Sequence, residues 1–198
     1  MDITSGKRIM IEQTYKDIVI PELLYGAIEN NEFHGFLEDY RVLHSLLRLY
    51  EPSSVLEIGT NMGVGTNIIC NAVPRSRVFS LDLPTELAHV SLQHPISEGK
   101  GDRVGERCML PFTQLRGDSM KFDFSKYPCD AYYIDGEHTE EHAYHETVEV
   151  LKCNPDLIVY HDSNMAEVYR GIVRAFEGNS DYDLFRVIDT RIAYAKRK

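Results

Sequence analysis

From residue 53 onward, short apolar runs alternate with stretches whose apolar residues recur every three or four positions. The runs read as strands buried on both faces, and the wider spacing reads as half-buried helices. Five strands are expected at 54–58, 77–81, 112–116, 131–134 and 157–160, with helices at 65–72, 85–93, 140–152 and 165–176. Segments 182–188 and 191–195 can close the sheet as a hairpin. This alternation predicts an α/β fold with a Rossmann-like, doubly wound sheet of seven strands, mostly parallel, ending in a C-terminal antiparallel hairpin. Thr139 stands where its hydroxyl can cap the helix at 140–152.

Two regions depart from the alternation. Residues 1–50 show no strand pattern, but Phe36, Leu37, Tyr40, Leu43, Leu46, Leu47 and Tyr50 form a helical stripe, which predicts a helical extension on the domain edge or a lid. Residues 94–111, rich in Gly and charge, read as a mobile loop with room for a short helix. No repeat or linker interrupts the chain, so residues 1–198 are expected to form a single domain, the extension at 1–50 and the core at 51–198.

Composition narrows the function. The 198 residues carry a formal net charge of −10, which argues against an extended surface tracking a nucleic-acid backbone and favours a small-molecule partner. No basic start precedes an apolar run, and no stretch is apolar for long enough to cross a bilayer, so no membrane association and a cytoplasmic location are expected. Cys70, Cys108, Cys129 and Cys153 form no CxxC pair and read as free thiols. The apolar leading helix is compatible with a homodimer.

The segment from Val55 to Thr66 runs from a buried strand through three glycines into a helix. Glycines there allow positive φ and close approach to the backbone. A dinucleotide fingerprint starting at Gly59 needs glycine at 61 and 64, where this chain has Asn61 and Val64, so a nicotinamide oxidoreductase is disfavoured. The spacing is Glu-x-Gly-x-x-x-Gly-x-Gly, from Glu57 to Gly65. It resembles motif I of the class I S-adenosylmethionine-dependent methyltransferases. The resemblance implies that Gly59, Asn61, Gly63 and Gly65 surround the methionine part of S-adenosylmethionine, with Glu57 and Asp135 also among the cofactor-binding residues. It implies also that Asp82, at the second strand tip, accepts the ribose hydroxyls and that Asp118, after the third, lies on the adenine side.

The fourth strand ends in Ile134-Asp135-Gly136-Glu137-His138, and the fifth in Tyr160-His161-Asp162. Neighbouring strands lie about 4.8 Å apart, so Asp135, His161 and Asp162 can converge on a divalent ion. Carboxylates suit Mg²⁺, Ca²⁺ or Mn²⁺, and the imidazole moves the preference toward Mn²⁺, Fe²⁺ or Zn²⁺. An ion there would acidify an acceptor hydroxyl, and His138, three residues after Asp135, is placed to take the proton. The arrangement resembles the metal-dependent O-methyltransferases, in the branch that includes macrolide-sugar methyltransferases and relatives of cephalosporin hydroxylase. Their Asp-Gly-x-His matches Asp135 to His138, and their acidic pair aligns with His161-Asp162, where His161 departs from the usual Glu or Asp.

Bland readings stand beside these. Asp135 can simply accept a hydrogen bond from cofactor or backbone, His138 can cap the next helix, and His161 can be a satisfied half-buried histidine. His142 and His145, with Glu141, Glu146 and Glu149, read as a solvated helix face, and Met62, Met120 and Met165 as gap fillers. The expected function is methyl transfer from S-adenosylmethionine to a hydroxyl of a small molecule, a sugar or secondary metabolite, with Asp135 and His138 on the catalytic side. The alternatives are a metal-dependent hydrolase and a degenerate S-adenosylmethionine-binding domain.

Overall fold

The structure, a computed structural model, describes residues 10–18, 37–90, 96–97 and 101–198. Its main sheet contains β1 (Ile11–Thr14), β2 (Ser54–Ile58), β3 (Arg77–Asp82), β6 (Thr113–Arg116), β7 (Ala131–Ile134), β8 (Leu157–Tyr160), β9 (Tyr182–Ile188) and β10 (Ala193–Arg197). The short β4 (Ile96–Ser97) and β5 (Gly101–Asp102) pair separately. The helices are α1 (Leu37–Tyr50), α2 (Val64–Ala72), α3 (Glu140–Lys152) and α4 (Ala166–Ala175). Across the main sheet the order is β1-β9-β10-β8-β7-β2-β3-β6, and only β10 runs antiparallel to its neighbours.

The side chains of each central strand divide between two helical layers, as a pleated strand requires. Val55, Tyr133 and Val159 pack with Val42, Leu43, Leu46 and Leu47 of α1 and Ile68 and Ile69 of α2. Their neighbours Leu56, Tyr132 and Ile158 turn to the other face, against Ala143 and Val150 of α3 and Val168 and Ile172 of α4. From β2 the sheet extends through β3 to β6 on one side and through β7 to β8 on the other. Such a reversal leaves a crevice beyond the carboxyl ends of β2 and β7, where ligands of doubly wound sheets bind.

The α/β class, the parallel core and the C-terminal hairpin agree with expectation, but the main sheet has eight strands instead of seven. The added strand, β1, comes from the leading segment, where no strand was expected, and pairs parallel with β9 from Ile11 to Thr14. Four residues on an edge bury too little to leave an apolar alternation, and Ile11, Glu12 and Thr14 are exposed. Thr85–Val90 is a 3-10 helix where an α-helix was expected, and 91–93 lie outside the described residues. The described part of 94–111 holds the β4-β5 pair in place of a short helix. Phe36 of the expected stripe is also outside, while Leu43, Leu46 and Leu47 are buried in α1, which packs into the core layer.

Thr139 caps α3 as expected, accepting a hydrogen bond from the His142 amide. All four cysteines are free. Among the described residues, no helix is long and apolar enough to cross a membrane.

Helices α3 and α4 meet closely at Gly171, where a β-carbon would lie 2.5 Å from the Glu140 carbonyl oxygen and 2.8 Å from the Ala143 β-carbon. Gly171→Ala is therefore expected to destabilise the protein by about 1–3 kcal/mol, the usual cost of overpacking. Urea unfolding of the variant measures this, and an unchanged midpoint would contradict the close approach.

Candidate active site

The loop after β2 turns on left-handed backbone at Gly59 (φ 97°), Asn61 (φ 47°) and Gly63 (φ 86°), and then enters α2. The glycines fit the protein's own packing. A β-carbon at Gly59 would stand 2.0 Å from the Asp135 carbonyl oxygen, one at Gly63 would stand 2.8 Å from Gly105 Cα, and one at Gly65 would stand 2.5 Å from Glu57 Oε1. The loop is thereby pressed against the β7 tip on one side and the Gly105 turn on the other. Backbone hydrogen bonds from Gly105 to the Asn61 carbonyl and from Arg107 to the Met62 carbonyl complete this second contact.

Glu57 fastens the loop from beneath. It is 1 % exposed, and its Oε2 accepts hydrogen bonds from Thr66 Oγ1 of α2 and Ser80 Oγ of β3, both at 2.5 Å. Ser80 Oγ also lies 2.6 Å from Thr60 Oγ1, which accepts from Gln114 Nε2 at 2.9 Å. Burial pushes the Glu57 carboxyl up to about 8, against the two hydroxyl donors that favour its charged form.

Asp82 extends from the β3 tip toward the same loop. Its Oδ2 accepts from the Asn61 amide at 2.6 Å and its Oδ1 from the Leu83 amide at 2.7 Å. Asp118 accepts from the Met120 amide at 3.0 Å and pairs with Lys121 at 3.0 Å.

A cavity of about 430 Å³ opens between this loop and the β7 and β8 tips. The volume is within the range of small-ligand sites. Glu57, Gly59, Asn61 and Gly65 line its loop side, and Asp135, His138, His161 and Asp162 line the other. Gly63, Asp82 and Asp118 are not among its lining residues; Asp82 reaches it through the Asn61 amide it holds.

The second wall is a compact set of acids and imidazoles. One donor atom each from Asp135, His161 and Asp162 falls within 4.8 Å of the others, a spacing that can hold a metal ion. His161 Nδ1 lies 3.2 Å from Asp135 Oδ1 and 2.9 Å from Asp162 Oδ2. His138 Nε2 lies 3.1 Å from Asp162 Oδ2 and 4.0 Å from Asp135 Oδ1. Tyr133 Oη donates to Asp135 Oδ2 at 3.2 Å, and the Asp162 backbone is left-handed (φ 49°).

These contacts tune every group in the set. The carboxylates of Asp135 and Asp162 push His138 up to about 10. His161 is pushed up to about 12 by Asp135, Asp162 and Asp39, although burial opposes it. Burial alone would raise Asp135 and Asp162, but the facing imidazoles outweigh it and hold both below the ordinary carboxylate value. With only these carboxylates facing it, His138 is thus held in its protonated form above the ordinary imidazole range.

A family model described as a methyltransferase domain matches residues 56–163, more than half of the chain. The chain belongs to this methyltransferase family. The match spans the glycine loop and the acid-imidazole set, and it separates the methyltransferase reading from the hydrolase. Among solved structures, the O-methyltransferase TomG from Streptomyces achromogenes, in complex with SAM, is 17% identical, with 91% of this chain and 92% of that chain covered and a TM-score of 0.58. The O-methyltransferase from Bacillus cereus, in complex with SAH, is 18% identical over 81% of this chain and 80% of its own, with a TM-score of 0.57. The MycE methyltransferase of the mycinamycin pathway, in complex with Mg, SAH and mycinamycin VI, is 16% identical, with a TM-score of 0.56. It covers 85% of this chain, which spans only 51% of MycE. These likenesses establish the fold. None of the curated proteins matches the chain.

Sequence reasoning missed four contributors. Asp39 and Tyr40 of α1, Met165 and Arg191 complete the site: Tyr40, Met165 and Arg191 line the cavity, and Asp39 contacts His161. Asp39 had a readable signal, an acid at i−4 and i−7 from the apolar Leu43 and Leu46 of one helical stripe. Arg191, in the β9-β10 turn, had none. Glu146 was expected on a solvated face but is 1 % exposed and accepts a hydrogen bond from Ser119 Oγ at 2.6 Å, because α3 turns that position inward beneath Gly136.

The raised Glu57 carboxyl has a consequence for stability. The folded protein keeps its proton up to about pH 8, whereas the unfolded chain releases it near the ordinary value of 4.5, so rising pH across that window favours unfolding. Glu57→Gln removes this contribution. Urea unfolding at pH 5, 6.5 and 8 should show the variant gaining on the parent as pH rises, and a pH-independent difference would contradict the assignment.

Proposed function

We propose that the protein transfers the methyl group of S-adenosylmethionine to a hydroxyl of a small molecule, with a divalent ion, Mg²⁺ or Mn²⁺, at Asp135, His161 and Asp162. The observation that carries this reading is the single cavity in which the glycine loop of a methyltransferase family faces an acid-imidazole cluster able to hold a metal. TomG with SAM and MycE with Mg and SAH, which share the fold, support the cofactor and the metal.

S-adenosylmethionine supplies an already electrophilic methyl group, so the protein's task is positioning, exclusion of water and proton management. Glu57 holds the loop, Gly59 to Gly65 offer backbone to the methionine part, and Asp82, at the β3 tip beside the Asn61 amide, offers its carboxylate to the ribose. Asp118, on the loop after β6, borders the adenine side. The ion supplies Lewis acidity that lowers the pKa of the acceptor hydroxyl.

On the acceptor side, Asp135 and Asp162 hold the negative charge, and Tyr133 and Arg191 fix their orientation through Asp135 Oδ2 and Asp162 Oδ1. His138 stands at the cavity wall, half-buried, with Nε2 toward Asp162. It accepts the hydroxyl proton once the charge of its two carboxylate partners is otherwise neutralised, since those carboxylates are what hold its own proton. Met165 and Tyr40 give the cavity apolar surface suited to a small organic acceptor.

Calorimetric titration with S-adenosylhomocysteine tests the donor half. Micromolar binding is expected, with no binding of NAD. Asp82→Ala should weaken binding by roughly 10- to 100-fold, the loss of hydrogen bonds to a charged acceptor, and unchanged affinity would remove Asp82 from the ribose site. On the acceptor half, His138→Ala should leave S-adenosylhomocysteine affinity intact and lower turnover by about 10²- to 10⁴-fold, read as methyl transfer to an acceptor found by screening hydroxylated small molecules. Full turnover in the variant would exclude His138 as the base.

A further inference from the structure

Asp39 is the one acid of α1 that points into the site, and it comes from outside residues 56–163, the stretch matched by the family. It is 4 % exposed, and its two oxygens are committed to different partners. Oδ1 accepts from the Arg191 backbone amide at 2.8 Å. Oδ2 faces His161 Nε2 at 3.3 Å, with Arg191 Nε at 4.0 Å. The opposite ring nitrogen of His161, Nδ1, faces Asp135 and Asp162.

We propose that Asp39 is a positioning residue that fixes His161 as the Nε2–H tautomer, so that the Nδ1 lone pair is presented to a divalent cation between Asp135 and Asp162. This rests on the metal reading given above. An ionised carboxylate only accepts hydrogen bonds, so the nitrogen facing it must carry the proton. A neutral imidazole has one proton, and placing it on Nε2 leaves Nδ1 as the donor to the ion. Metal-ligating histidines are commonly oriented in this way by a carboxylate on the far ring nitrogen. The His161 amide, donating to the Ile134 carbonyl at 3.0 Å, holds the backbone while Asp39 holds the ring.

The placement also explains why a histidine serves here. His161 is 7 % exposed, and a third carboxylate beside Asp135 and Asp162 would add another negative charge to the pair. The imidazole supplies a neutral donor instead. Asp39 and Arg191 bring opposite charges to its far side.

Asp39→Asn separates orientation from packing. The asparagine carbonyl can still accept from the Arg191 amide, but its NH₂ then faces His161 Nε2, which must accept and send the ring proton to Nδ1. The same substitution of an orienting aspartate, in the serine-protease triad, keeps the geometry and imposes the wrong tautomer. Mn²⁺ affinity of the full chain, read from the electron paramagnetic resonance of free Mn²⁺, should fall about 10- to 100-fold in Asp39→Asn, with an unchanged circular dichroism spectrum showing that the variant keeps the fold. Asp135→Asn, which removes a ligand, should abolish binding.

Wild-type Mn²⁺ affinity retained in Asp39→Asn would overturn the positioning role while leaving the metal site standing. Absence of Mn²⁺ binding by the wild-type protein would overturn both. A second measurement does not depend on the variant: ¹⁵N spectra of the histidines in Mg²⁺-loaded wild-type protein should show the His161 proton on Nε2. A proton on Nδ1 would overturn the proposal.

Discussion

A β-carbon at position 59 would stand 2.0 Å from the carbonyl oxygen of Asp135, so the tips of β2 and β7 can meet only around a glycine. A backbone hydrogen bond then locks the junction, Asp135 N to the Ile58 carbonyl at 2.8 Å, while Gly59 N, at 2.8 Å from the Leu81 carbonyl, ties the loop to β3 on the other side. This contact joins the two halves of the crevice. The glycine loop lies on one side of it and Asp135 begins the acid-imidazole set on the other. The left-handed Gly59 turns the chain across the strand ends and so brings Asn61 to Asp82.

The charges in the second half balance in a way that suits a cation. Asp39, Asp135 and Asp162 face His138, His161 and Arg191 within 4.0 Å contacts. Without an ion, both imidazoles carry the compensating positive charge. A divalent ion would take over that compensation, and the imidazoles would then be neutral, one as ligand and one as base. The same residues therefore account for a metal donor set and for a proton acceptor beside it, and the exchange of protons for metal links the two.

Much of the fold was legible because buried parallel strands leave apolar runs and half-buried helices leave a three-to-four spacing. The strands β2, β3, β6, β7 and β8 and the helix from Glu140 follow that pattern. The edge strand β1 did not, since one exposed row of side chains gives no alternation. The sites at strand ends, Asp135 and the His161-Asp162 pair, were legible because topology alone brings adjacent strand tips together. Asp39 reaches His161 across 122 residues and Arg191 reaches Asp162 across 29, through helix packing and a hairpin turn that local patterns do not encode. The glycines were read as room for a ligand, but their immediate constraint is the protein's own backbone and the Glu57 side chain.

The central claim is that the donor loop and the acid-imidazole cluster are two walls of one reaction cavity. The most direct test is a crystal structure of the protein grown with S-adenosylhomocysteine and Mn²⁺. The claim predicts the homocysteine part against Gly59 to Gly65, the ribose at Asp82, and an anomalous Mn²⁺ peak bounded by Asp135, His161 and Asp162. S-adenosylhomocysteine bound elsewhere, or Mn²⁺ on other residues with this cluster closed by its own histidine-aspartate pairs, would contradict it.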